Sequence, residues 1–251
     1  MKAMYSVALM VAVVALLAIS APLYASKMDD RIESSARKSY IFQTYLMGDD
    51  IKIESKDGVV TLTGMIAAEF HKSLAQETVA GLPGVKSVDN RLEVKGAPPT
   101  ANSDAWLSEK VKTTLLFHRS VKTGKNEVYV QEGIVTLRGN AVSQAKKDLT
   151  TEYAKDVEGV KDVKNEMTVS RPSKKAPSVG KKIDDASTTA QVKMTLLFHR
   201  STSALNTKVV TNKGLVTLYG KAGSTAEKDL VTKIVNDVNG VKHVTNRMTI
   251  E

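Results

Sequence analysis

The 251-residue chain has no cysteine, which excludes disulfide bonds, thiolate metal sites, cysteine nucleophiles and lipoprotein attachment. Aromatic residues are scarce, with a single tryptophan. This scarcity argues against nucleic-acid binding, which the isoelectric point near 9.5 would otherwise suggest. No phosphate-loop motif, zinc motif or nucleophile–base spacing rises above chance. We therefore expect a protein that is not an enzyme and that uses no cofactor or metal.

Long apolar runs are also absent, except for one at the amino terminus. Val7–Ile19 is apolar throughout, Lys2 precedes it, and Leu23-Tyr24-Ala25 follows it. A positive start, a short apolar core and a small-residue cleavage site are typical of a secretory signal peptide. The core is shorter than the ~20 residues that span a bilayer. We expect residues 1–25 to be cleaved near Ala25 and the mature protein to be periplasmic; an uncleaved membrane anchor is the alternative.

A threefold repeat organises the rest of the chain. The motif Gly133-Ile134-Val135-Thr136-Leu137-Arg138-Gly139 recurs at residues 58–64 and 214–220, and Gly159-Val160-Lys161-Asp162-Val163-Lys164-Asn165 recurs at residues 84–90 and 240–246. Such a period indicates repeated structural units. The predicted modules are residues 28–95, 102–170 and 183–251, with linkers at 96–101 and 171–182. Prolines in both linkers predict modules held on short tethers.

Each repeat predicts the same order of elements. An amphipathic helix comes first, with Leu107, Val111 and Leu115 on one face in the second module. Two strands follow around a two-residue turn that contains Gly58, Gly133 or Gly214, and then a second helix and a last strand. The predicted fold class is α+β, with three tandem helix–strand–strand–helix–strand modules, each placing two helices on one face of a three-stranded mixed sheet.

Periodicity also predicts which side chains the sheet buries. The first helices would bury Ile32, Ala36 and Tyr40; Leu107, Val111 and Leu115; and Thr188, Val192 and Leu196. The second helices would bury Phe70, Leu74 and Thr78; Ala145, Leu149 and Tyr153; and Ala226, Leu230 and Ile234. The last strands would turn Val88, Asn90, Leu92 and Val94, and Val163, Asn165, Met167 and Val169, to the core. Gly64, Gly139 and Gly220 would mark the break between strand and second helix.

The pattern Gly-hydrophobic-Val-Thr-Leu-x-Gly, a helix, and Gly-Val-x-x-Val-x-Asn resembles the BON domain family, named after bacterial OsmY and nodulation proteins. The resemblance covers nearly all of the mature chain, as in an OsmY-like periplasmic protein with three BON domains. It implies a cell-envelope protein without catalytic residues, which responds to osmotic stress, binds anionic phospholipid or acts as a chaperone for outer-membrane proteins. The third copy departs from the two-module OsmY arrangement, and the missing cysteine departs from the lipoproteins.

Two features are candidates for contact with a lipid surface. The second linker contains five cations and no acidic residue, namely Arg171, Lys174, Lys175, Lys181 and Lys182. Each cation near an anionic lipid surface gains about 1 kcal/mol, although the same composition fits a solvated linker. Trp106 could insert at a membrane interface, but its place beside the Leu107 stripe favours packing.

Two further features are candidates for protein partners. The helix-free sheet face would carry Tyr129, Arg138, Tyr219 and Arg247, and the open strand edges could accept an extended client segment. The repeated segments Lys112–Ser120 and Lys193–Ser201 end in Phe-His-Arg-Ser. They could meet a lipid head group or a peptide carboxylate, but core packing and helix capping are the favoured interpretation.

These observations predict a non-enzymatic periplasmic protein of osmotic or envelope stress that associates with phospholipid membrane surfaces. The alternative is a periplasmic chaperone that binds non-native outer-membrane proteins. The expected partners are an anionic phospholipid surface or non-native envelope proteins, and no nucleic acid. The oligomeric state is not indicated.

Overall fold

The computed structural model describes residues 27–96, 100, 103–121, 126–170, 182–202 and 207–250. These ranges contain the three repeats, which we call modules 1, 2 and 3. The predicted signal peptide and all but the last residue of the basic linker lie outside the described residues. Within the described ranges, no helix combines the length and the apolar character that a membrane crossing needs.

Module 1 begins with a helix that covers residues 27–38, named α1 here. Ser39 then accepts a hydrogen bond from the Phe42 amide and caps a second, short helix. The remaining elements follow the predicted order. They are α2 (Tyr40–Thr44), β1 (Asp50–Lys56), β2 (Val59–Ile66), α3 (Glu69–Ala80) and β3 (Ser87–Val94).

Modules 2 and 3 each begin with one unbroken helix, capped by Ser103 or Asp184. The elements of module 2 are α4 (Asp104–Phe117), β4 (Glu127–Gln131), β5 (Ile134–Arg138), β6 (Asn140–Ala141), α5 (Gln144–Lys155), β7 (Asp162–Asn165) and β8 (Thr168–Val169). Those of module 3 are α6 (Asp185–Phe198), β9 (Lys208–Asn212), β10 (Leu215–Tyr219), β11 (Lys221–Ala222), α7 (Thr225–Asn236), β12 (His243–Asn246) and β13 (Thr249–Ile250).

The sheets have the predicted mixed topology. In each module the central strand (β2, β5 or β10) pairs antiparallel with the strand before it and parallel with the first strand after the second helix (β3, β7 or β12). Asp57 and Gly58 both have positive φ, 55° and 81°, as a two-residue type I′ turn requires. The break expected at Gly64 was wrong, because β2 continues to Ile66. Gly64 instead permits close strand approach, since a Cβ there would lie 1.9 Å from the Asp50 carbonyl oxygen.

One aspartate in each module joins the first helix to the hairpin turn. Its carboxylate accepts hydrogen bonds from both backbone amides of the turn, at 2.6 to 3.0 Å. A turn with two left-handed residues leaves these amides without partners in the sheet, and the carboxylate satisfies them. The three aspartates are Asp29, Asp104 and Asp185.

The asparagine of the second motif joins the last strand to the second helix. In module 2, Asn165 Nδ2 donates to the Lys147 carbonyl oxygen at 2.9 Å and to Thr151 Oγ1 at 2.8 Å, while its Oδ1 accepts from the Met167 amide at 3.0 Å. Asn90 and Asn246 repeat the arrangement. The repeated asparagine is therefore a structural residue.

The core confirms the predicted stripes of α4 and α6, and it confirms those of α5 and α7 in part. Leu149 and Tyr153 are partly buried against the core of module 2, and Ile234 is buried. Helix α5 buries Thr150 and Ala154, and α7 buries Val231, Ile234 and Val235. Ala145 and Ala226 are exposed, and so is Val169, which lies beyond the strand break. The prediction was wrong at Ala145, Ala226 and Leu230, because these helices carry apolar residues on two sides, and Leu230 lines a cleft between modules 2 and 3.

The prediction of modules held separately on tethers was wrong, because the three modules pack together. Helix α6 buries ten of its 14 residues. One side covers its own sheet, while Ala186, Ala190 and Met194 join the hydrophobic core of module 1. The Ile41 amide also donates to Ser187 Oγ at 3.1 Å. Tyr40, expected in the stripe of the first helix, follows the break at Ser39, and its amide donates to Asp184 Oδ2 at 2.8 Å.

We predict that Asn165→Ala lowers the free energy of unfolding of module 2 by about 1–3 kcal/mol, because it leaves buried backbone groups without partners. Urea unfolding followed by the fluorescence of Trp106, which belongs to module 2, measures the change. Gln131→Ala, at an exposed position of β4, is the control and should leave the midpoint unchanged. Equal midpoints for the two variants would contradict the structural role of Asn165.

Candidate functional site

The helix-free sheet face of module 3, here called the module 3 face, exposes three large apolar side chains. Strand alternation turns Val209, Val216 and Leu218 into the core and their neighbours to the outside. Val210, Leu215 and Tyr219 are 44%, 54% and 38% exposed. An apolar patch on an open sheet is a candidate interaction surface.

Cations surround this apolar patch. Lys208 lies opposite Tyr219 in the sheet, Lys213 lies in the hairpin turn, and Arg247 is held beside β10 by a 2.8 Å bond from its amide to the Leu218 carbonyl oxygen. The five strands β9 to β13 contain no Asp or Glu. Lys208, Lys213 and Arg247 form no ion pair within the described residues. The module 3 face is therefore both apolar and cationic.

The matching face of module 2 has the opposite balance of charge. Arg138 pairs with Glu166 at 2.8 Å and lies over the Tyr129 ring at 5.4 Å from its centroid. The Tyr129 hydroxyl donates to Glu127 at 3.2 Å. The structure thus brings the predicted residues Tyr129 and Arg138 together, but acidic partners neutralise the arginine.

The predicted residues Tyr219 and Arg247 lie on the module 3 face, and the sequence reasoning missed Lys208, Lys213 and Leu215. A comparison of aligned positions could have found the two lysines. Each position of module 2 aligns with the position 81 residues later in module 3. Three acidic residues of module 2 align in this way with three cations of module 3: Glu127 with Lys208, Glu132 with Lys213, and Glu166 with Arg247.

Of the predicted linker cluster, only Lys182 is among the described residues; Arg171, Lys174, Lys175 and Lys181 lie outside them. Lys182 is exposed and lines an open cleft of about 740 Å³ together with Lys213 and Lys242. The cleft lies at the hairpin end of module 3. The carboxyl end of the basic linker therefore adjoins the cationic rim of the module 3 face.

Trp106 lies at a junction between the modules. Its ring is partly buried, and Lys110 Nζ lies 4.7 Å from its centroid. Trp106 and Lys110 border a small cavity of about 40 Å³ with Phe70 of module 1 and Phe198 of module 3. Burial lowers the pKa of Lys110, and Glu158 partly opposes this effect. This position agrees with the packing interpretation of Trp106.

The two Phe-His-Arg-Ser segments dock reciprocally across the boundary between modules 2 and 3. Arg119 donates to the carbonyl oxygen of Asn236, the last residue of α7, and to that of Val241, which follows the helix. Arg200 donates to the carbonyl oxygen of Lys155, the last residue of α5. These segments pack and cap helices, as predicted. Each arginine, however, caps a helix of the other module and not its own.

At the centre of this contact, His118 and His199 meet, and we call them the histidine pair. Their Nε2 atoms are 3.1 Å apart, and both side chains are fully buried. Asp237 accepts from the Tyr153 hydroxyl at 2.9 Å and from the Ser120 amide and hydroxyl. Burial raises the pKa of Asp237, but the nearby His118 ring, 3.5 Å away, and the hydrogen bonds from Ser120 and Tyr153 outweigh burial and hold this pKa below its usual value.

Comparison with known proteins shows what the chain is similar to. The BON domain profile matches residues 28–96, 103–171 and 184–251. Osmotically-inducible protein Y of Escherichia coli (strain K12) is 35% identical over 143 residues, which are 57% of this chain and 70% of that protein. Outer membrane lipoprotein DolP of Haemophilus influenzae is 31% identical over 146 residues, 58% of this chain and 73% of that protein. The 21 kDa hemolysin of Actinobacillus pleuropneumoniae is 30% identical over 115 residues, 45% of this chain and 59% of that protein.

We predict that Asp237→Ala loosens the contact between modules 2 and 3, because it removes the acceptor shared by Tyr153 and Ser120. Hydrogen bonds to a charged group contribute about 1.5–3 kcal/mol each, so amide exchange in residues 117–121 and 236–241 should accelerate at least about tenfold. Hydrogen exchange with mass spectrometry measures it. Asp229→Ala, exposed on α7, is the matched control; unchanged protection in Asp237→Ala would show that the carboxylate does not hold the contact.

Proposed function

Because the chain belongs to the BON domain family, with three copies of the domain, we propose that it is a non-enzymatic, exported envelope-stress protein that associates with anionic phospholipid surfaces. The names of two relatives support this setting, since one is osmotically inducible and the other is an outer membrane lipoprotein. These relatives and the predicted signal peptide support a periplasmic location.

The module 3 face is the observation that carries the proposal. Leu215, Val210 and Tyr219 offer apolar contact with the interface of a membrane, and Lys208, Lys213 and Arg247 offer charge for anionic head groups. Each cation near an anionic leaflet contributes about 1 kcal/mol, and this attraction falls away within a Debye length. Because no acidic residue opposes these cations on the strands, their attractions add. The adjoining basic linker would extend the same surface.

A second candidate function is a chaperone for non-native outer-membrane proteins. The edge position of β9 favours it, because an edge strand presents backbone amides and carbonyl groups to an extended client segment. The exposed side chain of Val210 lies on this strand and could contact apolar side chains of the client. Such binding would depend on apolar contact and on backbone pairing more than on charge.

We predict that replacing three cations of the module 3 face, in Lys208→Gln, Lys213→Gln and Arg247→Gln, weakens binding to phosphatidylglycerol-containing vesicles about a hundredfold. The estimate takes about 1 kcal/mol for each cation. Co-sedimentation of the mature protein with these vesicles and with pure phosphatidylcholine vesicles measures the preference. Neutralising Lys174, Lys175, Lys181 and Lys182 should weaken binding further.

The control is the matching change on module 2, Arg138→Gln with Lys164→Gln, which should leave vesicle binding close to that of the unchanged protein. If the unchanged protein shows no preference for anionic vesicles, the lipid proposal is wrong. If the module 2 and module 3 variants lose vesicle binding equally, the attraction to anionic vesicles comes from the overall charge of the protein. The module 3 face would then not be a specific binding surface.

For the chaperone, we predict that stoichiometric amounts of the mature protein delay the aggregation of an outer-membrane protein diluted from urea, as light scattering would show. Val210→Ser with Leu215→Ser should shorten the delay, because exposed apolar contact is lost. Leu197→Ser, an exposed leucine on α6, is the control. Aggregation at the same rate with and without the protein would reject this function.

A further inference from the structure

We propose that the histidine pair makes the contact between modules 2 and 3 depend on proton concentration. The two modules stay docked while the pair holds two or three protons, and they separate when a fourth proton binds. The inference rests on the geometry of this contact and does not depend on the lipid or chaperone proposal.

The first step assigns the protons of His199. Its Nδ1 lies 2.7 Å from Asp156 Oδ2. Hydrogen bonds from His199 and Ser201 outweigh the effect of burial, which would raise the pKa of Asp156, and hold that pKa below its usual value. An ionised carboxylate only accepts hydrogen bonds, so His199 Nδ1 carries a proton. In the neutral ring Nε2 then has a free lone pair, which can accept a hydrogen bond.

The second step assigns the protons of His118. Its Nε2 lies 3.1 Å from the accepting Nε2 of His199, so it must carry the proton between the two rings. Its Nδ1 is then unprotonated in the neutral ring. That atom is buried, lies 3.5 Å from Asp237 Oδ2, and has no hydrogen-bond partner within the described residues. A third proton would bind at this atom, where it would face a carboxylate.

The docked state has no site beside a carboxylate for a fourth proton. It could bind only to His199 Nε2, where two N–H groups would then face each other across 3.1 Å. The hydrogen bond between the rings would be lost, and two imidazolium ions would be in contact inside a buried site. The docked state therefore excludes the fourth proton. After separation, water surrounds both rings, and an exposed imidazole binds its second proton near pH 6.5.

Two carboxylates, two arginines and one tyrosine surround the histidine pair. Asp156 and Asp237 follow α5 and α7 and are ionised, Arg200 and Arg119 pair with them at 3.9 Å and 3.6 Å, and the Tyr153 ring stacks on His118. Burial raises the pKa of Tyr153, and Asp237 adds to this effect.

The sign of the pH dependence follows from proton uptake. The separated state binds more protons than the docked state, so acid favours separation. Burial also lowers the pKa of His118, and Asp237 only partly offsets this effect. Docking is therefore complete above about pH 6.5 and weakens as the pH falls below it. Each additional proton bound on separation raises the ratio of separated to docked protein up to about tenfold per pH unit.

Separation would have a definite structural result. Four backbone hydrogen bonds across the boundary, all of 2.9 to 3.0 Å, would break. The Asn239 and Glu158 amides donate to the Phe117 and Phe198 carbonyl oxygens, and the Arg119 and Arg200 amides donate to the Asp237 and Asp156 carbonyl oxygens. The apolar side chains of Leu149, Tyr153 and Ile234, which line the cleft of about 400 Å³ between the modules, would become accessible. Acid would thus expose an apolar surface that the docked protein covers.

The absence of cysteine allows a direct test with spin labels. Asp148→Cys and Asp229→Cys place one label on α5 and one on α7, at exposed and equivalent positions. Double electron–electron resonance should show one short distance at pH 7.5 and a growing population of longer distances below pH 6.5. The longer population should rise at least about fivefold relative to the short one between pH 6.5 and 5.5, as the uptake of one additional proton near pH 6.5 requires. An unchanged distance down to pH 5 would overturn the proposal.

Two histidine variants test the role of the pair, and circular dichroism tests whether the modules stay folded. His199→Gln removes the fourth proton site and leaves only His118 to take up a proton on separation, so its population of longer distances should rise less steeply between pH 7.5 and 5 than in the unchanged protein. His243→Gln replaces an exposed histidine of the same module and should respond to pH like the unchanged protein. Circular dichroism at each pH should stay constant, since acid unfolding of the modules would also lengthen the distance and would contradict a simple separation.

A second measurement does not rely on any substitution in the pair. The chain has four histidines, so their ring nitrogens can be followed by nitrogen-15 NMR. At pH 7.5 His199 should carry its proton on Nδ1 and His118 on Nε2. If both rings have the same tautomer, or if both become imidazolium while the label distance stays short, the proposed proton assignment is wrong.

Discussion

The reciprocal capping of helix ends between modules 2 and 3 is the interaction on which the rest of the arrangement depends. The last carbonyl groups of a helix have no partners inside it. Arg119 and Arg200 supply donors to the ends of α7 and α5, and each arginine comes from the other module. Because each module completes the other, the two first helices end against each other, and the helix-free sheet faces remain exposed to solvent.

Module 1 shows what the same repeat does without this docking segment. Module 1 lacks the Phe-His-Arg-Ser segment. Its first helix stops at Ser39, and α2 lies against the start of α6. Phe117 and Phe198, which precede the two histidines, pack into the core of module 1. The pair of docked modules thus provides the surface on which module 1 is held, so the three repeats have different structural roles despite their common fold.

The motifs repeated in the three modules lie apart from the proposed binding surface. The repeated glycines, aspartates and asparagines form turns and join helices to strands, so equivalent positions are the same in all three modules. The side chains on the outer sheet faces have no such structural role, and their charges differ between modules 2 and 3. The charge reversal from Glu127 to Lys208 and from Glu166 to Arg247 has little effect on the stability of the fold, because these side chains are exposed. Differences among the copies therefore mark the surface we propose to bind membranes.

The sequence by itself determined the module topology, the turns and the family, because these depend on local periodicity and on glycines with positive φ. It also placed Tyr219 and Arg247 on an outer face. Only the tertiary structure decided which side of α5 and α7 is buried and that the modules pack together, since periodicity cannot tell a core-facing stripe from one that faces a neighbouring module. The meeting of His118 and His199, 81 residues apart, has no local signal, because it arises from the docking of two complete folds.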